Sequence, residues 1–189
     1  METDDPLTSP GENGASAIGV AAAINDTHGL GVEARADITR REGDVIAGGA
    51  VDDAFSLAIN GESIELGGEV AAGDLDDAVE RAINDAAPTT GVTANKTTLS
   101  VDGMPSTRLV LQAPDGRNIV LEVSDAAAPI TGLRTGTTRA GLILDHDAPI
   151  VVGGPNAVVA GLAVGESVAD PTRWRITARR VYCGAKGEL

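Results

Sequence analysis

The chain is poor in the residues that anchor most cores and most active sites. It has one Phe, one Tyr and one Trp, so apolar packing falls to Ala, Val, Ile and Leu, while 24 Gly and 9 Pro predict many short elements joined by frequent turns. A single cysteine, Cys183, excludes an internal disulfide, and no second Cys or well-placed His completes a zinc site with it. Flanked by Tyr182 and Gly184, it reads as a small packed residue more readily than as a reactive thiol. The two histidines, His28 and His146, leave few ways to activate a Ser or Thr nucleophile, and no G-x-S-x-G elbow occurs. Cations are scarce as well: 14 Lys and Arg against 28 Asp and Glu give a formal charge of −14. Such a surface repels nucleic acid and anionic membranes, so no nucleic-acid partner is expected. No apolar run approaches the roughly 20 residues of a membrane span, so no membrane insertion is expected either. Met1–Asn13 is acidic and contains proline, unlike the basic and then apolar start of a Sec-type signal peptide.

What the chain does have is periodicity in short stretches. Met1–Asn13 has almost no apolar residues to offset the entropy of ordering and reads as a disordered acidic tail. From Ser16, Ala17, Val20, Ala21 and Ile24 fall on one face of a short helix that Gly29 or Gly31 ends. Val32, Ala34, Ala36 and Ile38 then alternate with Glu33, Arg35, Asp37 and Thr39, which predicts a half-buried strand; Arg40–Asp44 is read as turn material. Ala54–Leu66 predicts a β-hairpin, with Phe55, Leu57 and Ile59 alternating, Asn60-Gly61 as the positive-φ pair of a type I′ turn, and Ile64 and Leu66 on the return.

A second helix is predicted from the stripe Leu75, Ala78, Val79, Ala82 and Ile83, with Asp74 as N-cap, Asp76 and Asp77 in the first turn, and Pro88 as its stop. Leu99–Val101, Arg108–Gln112 and Asn118–Val123 read as strands, the last two joined at Pro114-Asp115-Gly116 so that Leu109, Leu111, Ile119, Leu121 and Val123 line one face of an antiparallel pair. Ser124–Ile130 reads as a loop or single turn. Arg139–Leu144, Ile150–Val152, Val158–Val164 and Arg173–Tyr182 continue as short strand pieces. The fold class that follows is α+β, short antiparallel hairpins and meanders with two short amphipathic helices. The divisions expected are 1–13 (acidic tail), 14–66 (first unit and hairpin), 67–128 (second helix and meander) and 129–189 (Gly/Thr-rich β segment).

Few constellations carry chemistry. Asp74, Asp76 and Asp77 lack the D-x-D-x-D-G loop and bidentate Glu of a calcium site, and helix capping accounts for them. Asp145-His146-Asp147 reads either as a divalent-metal or acid–base site or as a polar turn between two apolar strands. Gly153-Gly154 completes no phosphate-binding fingerprint and reads as a tight turn. Asn25-Asp26-Thr27 and Asn95-Lys96-Thr97 match the N-x-[ST] sequon, and the basic stretch Arg173–Arg180 suits either an anionic partner or a guarded edge strand. No catalytic, cofactor-binding or metal residue is assigned, no cofactor is implied, and no enzymatic activity is expected.

A repeat organises the sequence more than any of these. Ala23-Ile24-Asn25-Asp26 recurs as Ala82-Ile83-Asn84-Asp85. Ala58-Ile59-Asn60-Gly61 in the hairpin, Ala82-Ile83-Asn84 in the helix and Gly91-Val92-Thr93-Ala94 after it resemble, in that order, the flagellin IN motif. Ser16-Ala17-Ile18, Ala21–Asn25 and Gly31-Val32-Glu33-Ala34 resemble a preceding copy. Gly136–Gly141 through Pro149–Gly154 is similar to the strand–turn segment that follows in longer flagellins. The resemblance spans Ser16 to Val164. It implies the variable, outward-facing region of a bacterial flagellin or of a hook-associated or filament-cap relative, extracellular if exported by the flagellar route, with other flagellar subunits as partners. Flagellins polymerise through long terminal helices with heptad-like stripes. Met1–Asn13 and Arg173–Leu189 show none, so the outer-domain fold is implied but filament assembly is not, as in a fragment, a truncated product or an independent surface-domain protein.

Overall fold

In a computed structural model, residues 16–27, 31–101 and 104–146 are described, together with strand segments at 151–152, 165–166 and 174–178. The expectations for Met1–Asn13, His28, Asp147, Gly153-Gly154, Val158–Val164, Arg173 and Cys183 lie outside these residues. Helix α1 (Ala17–Asn25) starts where the apolar stripe does, its first turn capped by the Ser16 hydroxyl, which accepts a bond from the Gly19 N–H at 3.0 Å. Strand β1 (Glu33–Ala36) follows with Ala34 buried. The predicted alternation fails at its end, because Ile38 is 54% exposed and Thr39 is buried instead, its hydroxyl donating to the Arg117 carbonyl at 2.6 Å. The chain changes phase between two sheets at this point.

The polar run after it is a strand and not the expected turn. β2 (Thr39–Val45) pairs antiparallel with β8 (Met104–Ala113) from Thr39 opposite Ala113 to Val45 opposite Arg108, with a bulge after Glu42. Its neighbour supplies what its own sequence lacks, and the Arg41 guanidinium fastens it further by donating to the carbonyls of Gly136 and Arg134. After β3 (Gly49–Ala50) comes the predicted hairpin, β4 (Leu57–Ile59) and β5 (Glu62–Ser63). Asn60 and Gly61 at its tip have φ of 51° and 83°, the two positive values a type I′ turn requires. β6 (Glu69–Val70) pairs with β3.

Helix α2 (Ala78–Asp85) buries Val79 and Ile83. Pro88 does end it, but by opening a further short helix, α3 (Ala87–Thr90), in whose first turn a missing N–H costs nothing. β7 (Thr93–Val101) and β8 (Met104–Ala113) form a long hairpin, and with β2 a sheet of order β2-β8-β7. β9 (Ile119–Val123) does not pair with β8 as expected. Pro114–Gly116 carries the chain into a second sheet, where β9 lies between β4 and β10 (Gly136–Thr138), after α4 (Ala127–Thr131). Leu109, Leu111, Ile119 and Leu121 still share one core, but from two sheets. β11 (Leu142–His146) pairs with β1 and with β14 (Trp174–Ala178), and β12 (Val151–Val152) with β13 (Gly165–Glu166).

The fold is thus α+β and mostly antiparallel β, with two helices longer than two turns among the described residues. The main core, lined by Ile46, Leu57, Ile59, Ile64, Val79, Ile83, Leu109, Leu111, Ile119 and Leu121 among others, is aliphatic, and Phe55 only packs against it. A second cluster joins Ala21 and Ala34 to Leu142 and Leu144, so α1 packs over the β1–β11 ladder. Among the described residues no helix is long and apolar enough to cross a membrane.

One backbone position tests the junction between α3 and β7. Gly91 closes α3 at φ 68°, and a Cβ there would run into the Arg117 guanidinium. Gly91→Ala is expected to lower unfolding free energy by about 2 kcal/mol in urea titrations, from left-handed strain plus displacement of Arg117.

Candidate functional site

The two Ala-Ile-Asn-Asp segments fold alike down to their hydrogen bonds. Each places its Ile toward a core, Ile83 fully buried and Ile24 packed against the smaller cluster. Each then ends its helix and turns into a strand, and the Asn reaches across to that strand's backbone. Asn84 Nδ2 donates to the Ala94 carbonyl at 3.0 Å, and the Ala94 N–H donates to Asn84 Oδ1 at 2.8 Å. Asn25 does the same with Ala34, at 2.8 and 2.7 Å. Ala94 faces Leu111 of β8 and Ala34 faces Leu144 of β11, each on an edge strand of its sheet. The side-chain amide therefore takes the place of a further strand, satisfying an N–H and a C=O that would otherwise lie open at the edge. The tetrapeptide repeat was visible in the sequence, but this clasp was not, since an Asn at a helix end more often marks a C-cap or, in Asn25-Asp26-Thr27, a sequon. The partner Gly-Val-x-Ala recurring at Gly31–Ala34 and Gly91–Ala94 is the signal that pointed to it.

The acidic segment before α2 caps the helix in a different way from the one its spacing suggests. Asp77, not Asp74, occupies the position before the first helical residue, in a left-handed conformation (φ 58°). Asp74 is fully buried one turn earlier, its carboxylate accepting from the N–H groups of Val79 at 2.9 Å and Glu80 at 3.0 Å. It caps α2 from within a single 3-10 turn (Ala72–Asp74), and neutralises the positive helix end at the same time. Leu75, counted above in the apolar stripe, is 81% exposed, because the chain turns at Asp74 (φ 51°) and Asp77 before the helix begins. Lys96 from β7 locks the turn. Its ammonium donates to the Asp74 carbonyl at 2.6 Å and to the Asp77 carboxylate, and Glu80 lies 3.7 Å away. The hydrogen bond from Lys96 and then its charge hold the Asp77 carboxyl below its ordinary 3.8. For Lys96 burial pulls downward, but the bond to Asp77 and the charges of Asp74, Asp77 and Glu80 outweigh it and raise the ammonium above 10.5. Asn95 and Thr97 of the same sequon stand exposed on either side of this lysine.

Asp145 and His146 lie in strand β11 and not in a turn, and Asp145 is 3.6 Å from Arg35 of β1. Among the described residues no three His, Cys, Asp or Glu side chains come together to hold a metal ion. Arg117, whose backbone holds Thr39, pairs with Asp115 and donates to the Thr90 carbonyl at 3.2 Å. Burial pushes the Asp115 carboxyl up, but its bonds from Arg117 bring it below the ordinary value overall. These groups form joints between elements.

Compared with protein-family models and with curated proteins, the chain matches none.

Two measurements test the joints. Asn84→Ala leaves both Ala94 backbone groups without their partner at a partly buried edge and is expected to lower stability by about 1–3 kcal/mol in denaturant titrations. Removing the Lys96 ammonium by Lys96→Met has a pH signature. The depressed Asp77 contributes stability that is present above pH 3.8 and is lost as pH falls through its lower folded value. The raised Lys96 contributes stability that is present below pH 10.5 and is lost as pH rises through its higher folded value. The difference in thermal midpoint between wild type and Lys96→Met is therefore expected to stay level between those limits and to shrink beyond both.

Proposed function

We propose that this chain is a structural module of the kind found in the outward-facing region of bacterial flagellins, displaying its surface outside the cell without catalysis of its own. The observation that carries the reading is the pair of equivalent helix–turn–strand units, each closed by the Asn of an Ala-Ile-Asn-Asp segment on the strand that follows. The hairpin Leu57–Ser63 and helix α2 also share one core through Ile59, Ile64, Val79 and Ile83, as that motif order implies. An aliphatic body with an acidic surface suits a protein that must stay soluble while arrayed at high local density. Other flagellar subunits are the partners this reading names.

A second reading, a surface module that recognises a partner through its loops, is favoured by one feature. Leu75 stands out on a turn pinned by Asp74 and Lys96, a rigid display of a single apolar side chain. Immunogold electron microscopy of cells that make the chain, with antibody raised against the purified protein, separates the two. Label along filaments that is lost on shearing is the expected result. Label on the cell body alone supports the second reading, and label confined to the cell interior overturns both.

A further inference from the structure

The asparagine clasp covers only the first part of the β7 edge. Alternate residues of an antiparallel edge strand send both backbone groups to the same side. Because Ala94 gives its N–H and C=O to Asn84, away from β8, the groups of Lys96, Thr98 and Ser100 point the same way. Pro105 opposite Ser100 agrees with this, since a residue without an N–H can bond nothing there. Among the described residues no strand lies beyond β7 in its sheet, and Thr97, Thr98, Leu99 and Ser100 are all exposed. The usual guard of such an edge is a lysine standing over it. Here Lys96 is drawn away to Asp74, Asp77 and Glu80.

We infer that this open edge, Lys96–Ser100, pairs antiparallel with the same strand of a second copy about a two-fold axis at Thr98. In that register Thr98 faces Thr98 of the second copy, Lys96 faces Ser100, and Leu99, 47% exposed in the single chain, packs against Thr97. No like charges stand opposite one another. The identity of the occupant follows from charge. A body of formal charge −14 repels its own copy almost everywhere, whereas Thr97–Thr107 carries only Asp102. Two copies therefore meet with least repulsion along this stretch, and the β-branched Thr97 and Thr98 suit a strand. The clasp at Ala94 fixes the limit of the new ladder. The pairing is independent of the filament reading, because it rests on the edge alone.

An edge-only contact is small, so its Kd is on the order of 100 µM at moderate salt, and added salt tightens it by screening the acidic bodies. Sedimentation velocity of the full chain over a concentration series is expected to show a monomer–dimer equilibrium with that salt dependence. Thr98→Pro removes an N–H that β8 does not use, and is expected to keep the circular dichroism spectrum while weakening the dimer about tenfold or more, two symmetric bonds being lost. Register is read separately by oxidation in a Cys183→Ser background. Thr98→Cys puts two thiols on a facing pair about 5.5 Å apart at Cα, within disulfide reach, and is expected to cross-link. Leu99→Cys puts them diagonal, about 7–8 Å apart, and is expected to stay reduced. If Thr98→Pro fails to fold, Leu99→Lys, which sets new charge beside the axis, is expected to weaken the dimer instead. A wild type that stays monomeric at every concentration and salt, a dimer unaffected in folded Thr98→Pro, or equal cross-linking at 98 and 99 overturns the inference.

Discussion

A sheet of a few strands has edges, and every edge leaves backbone N–H and C=O groups that water or the protein must satisfy. In this chain one side-chain type does that work twice. Asn25 and Asn84 each lay an amide against an edge strand, offering the acceptor and donor that a neighbouring strand would offer. The clasp needs a helix end held at a fixed distance from the strand, so the core-facing Ile before each Asn, the helix cap and the turn to the strand all serve one geometry. Where Ala94 is held, α2 is held, and with α2 the Lys96 contact to Asp74 and Asp77.

The aliphatic core follows the same economy. Without aromatic bulk, the space between the β2-β8-β7 and β10-β9-β4-β5 sheets is filled by Ile, Leu and Val at alternate strand positions, with Val79 and Ile83 of α2 in the same cluster. Small side chains fill space with less area per residue, so more of the specification falls on polar joints. Thr39 on Arg117, Arg41 on the carbonyls of Gly136 and Arg134, and Asn60 between Thr90 and Val120 are of this kind. Each links segments far apart in sequence.

Elements whose signal is local were legible in the sequence: the apolar stripe of α1 and the Asn60-Gly61 hairpin. Those whose signal is a neighbour were not. Arg40–Asp44 reads as a turn because nothing apolar marks it, yet β8 pairs with Arg40, Arg41 and Glu42 and, past a bulge, with Val45. Pro114-Asp115-Gly116 reads as a hairpin turn because it joins two apolar strands, and only the packing of two sheets shows that it leads from one to the other. Leu75 fits a helical period by spacing, but left-handed residues at Asp74 and Asp77 start the helix later. The clasp itself lay in the repeat, one residue type short of recognition, since a sequence shows that Asn recurs but not what its amide meets.

Everything joined to the β7 edge depends on the amide of Asn84 acting as the missing strand. Site-resolved hydrogen exchange of the intact chain, followed at the Ala34 and Ala94 N–H, reads this directly. Both are predicted to be protected in the wild type, and Asn84→Ala is predicted to expose Ala94 while leaving Ala34 unchanged. An Ala94 N–H that exchanges equally slowly with and without the Asn84 side chain would contradict it.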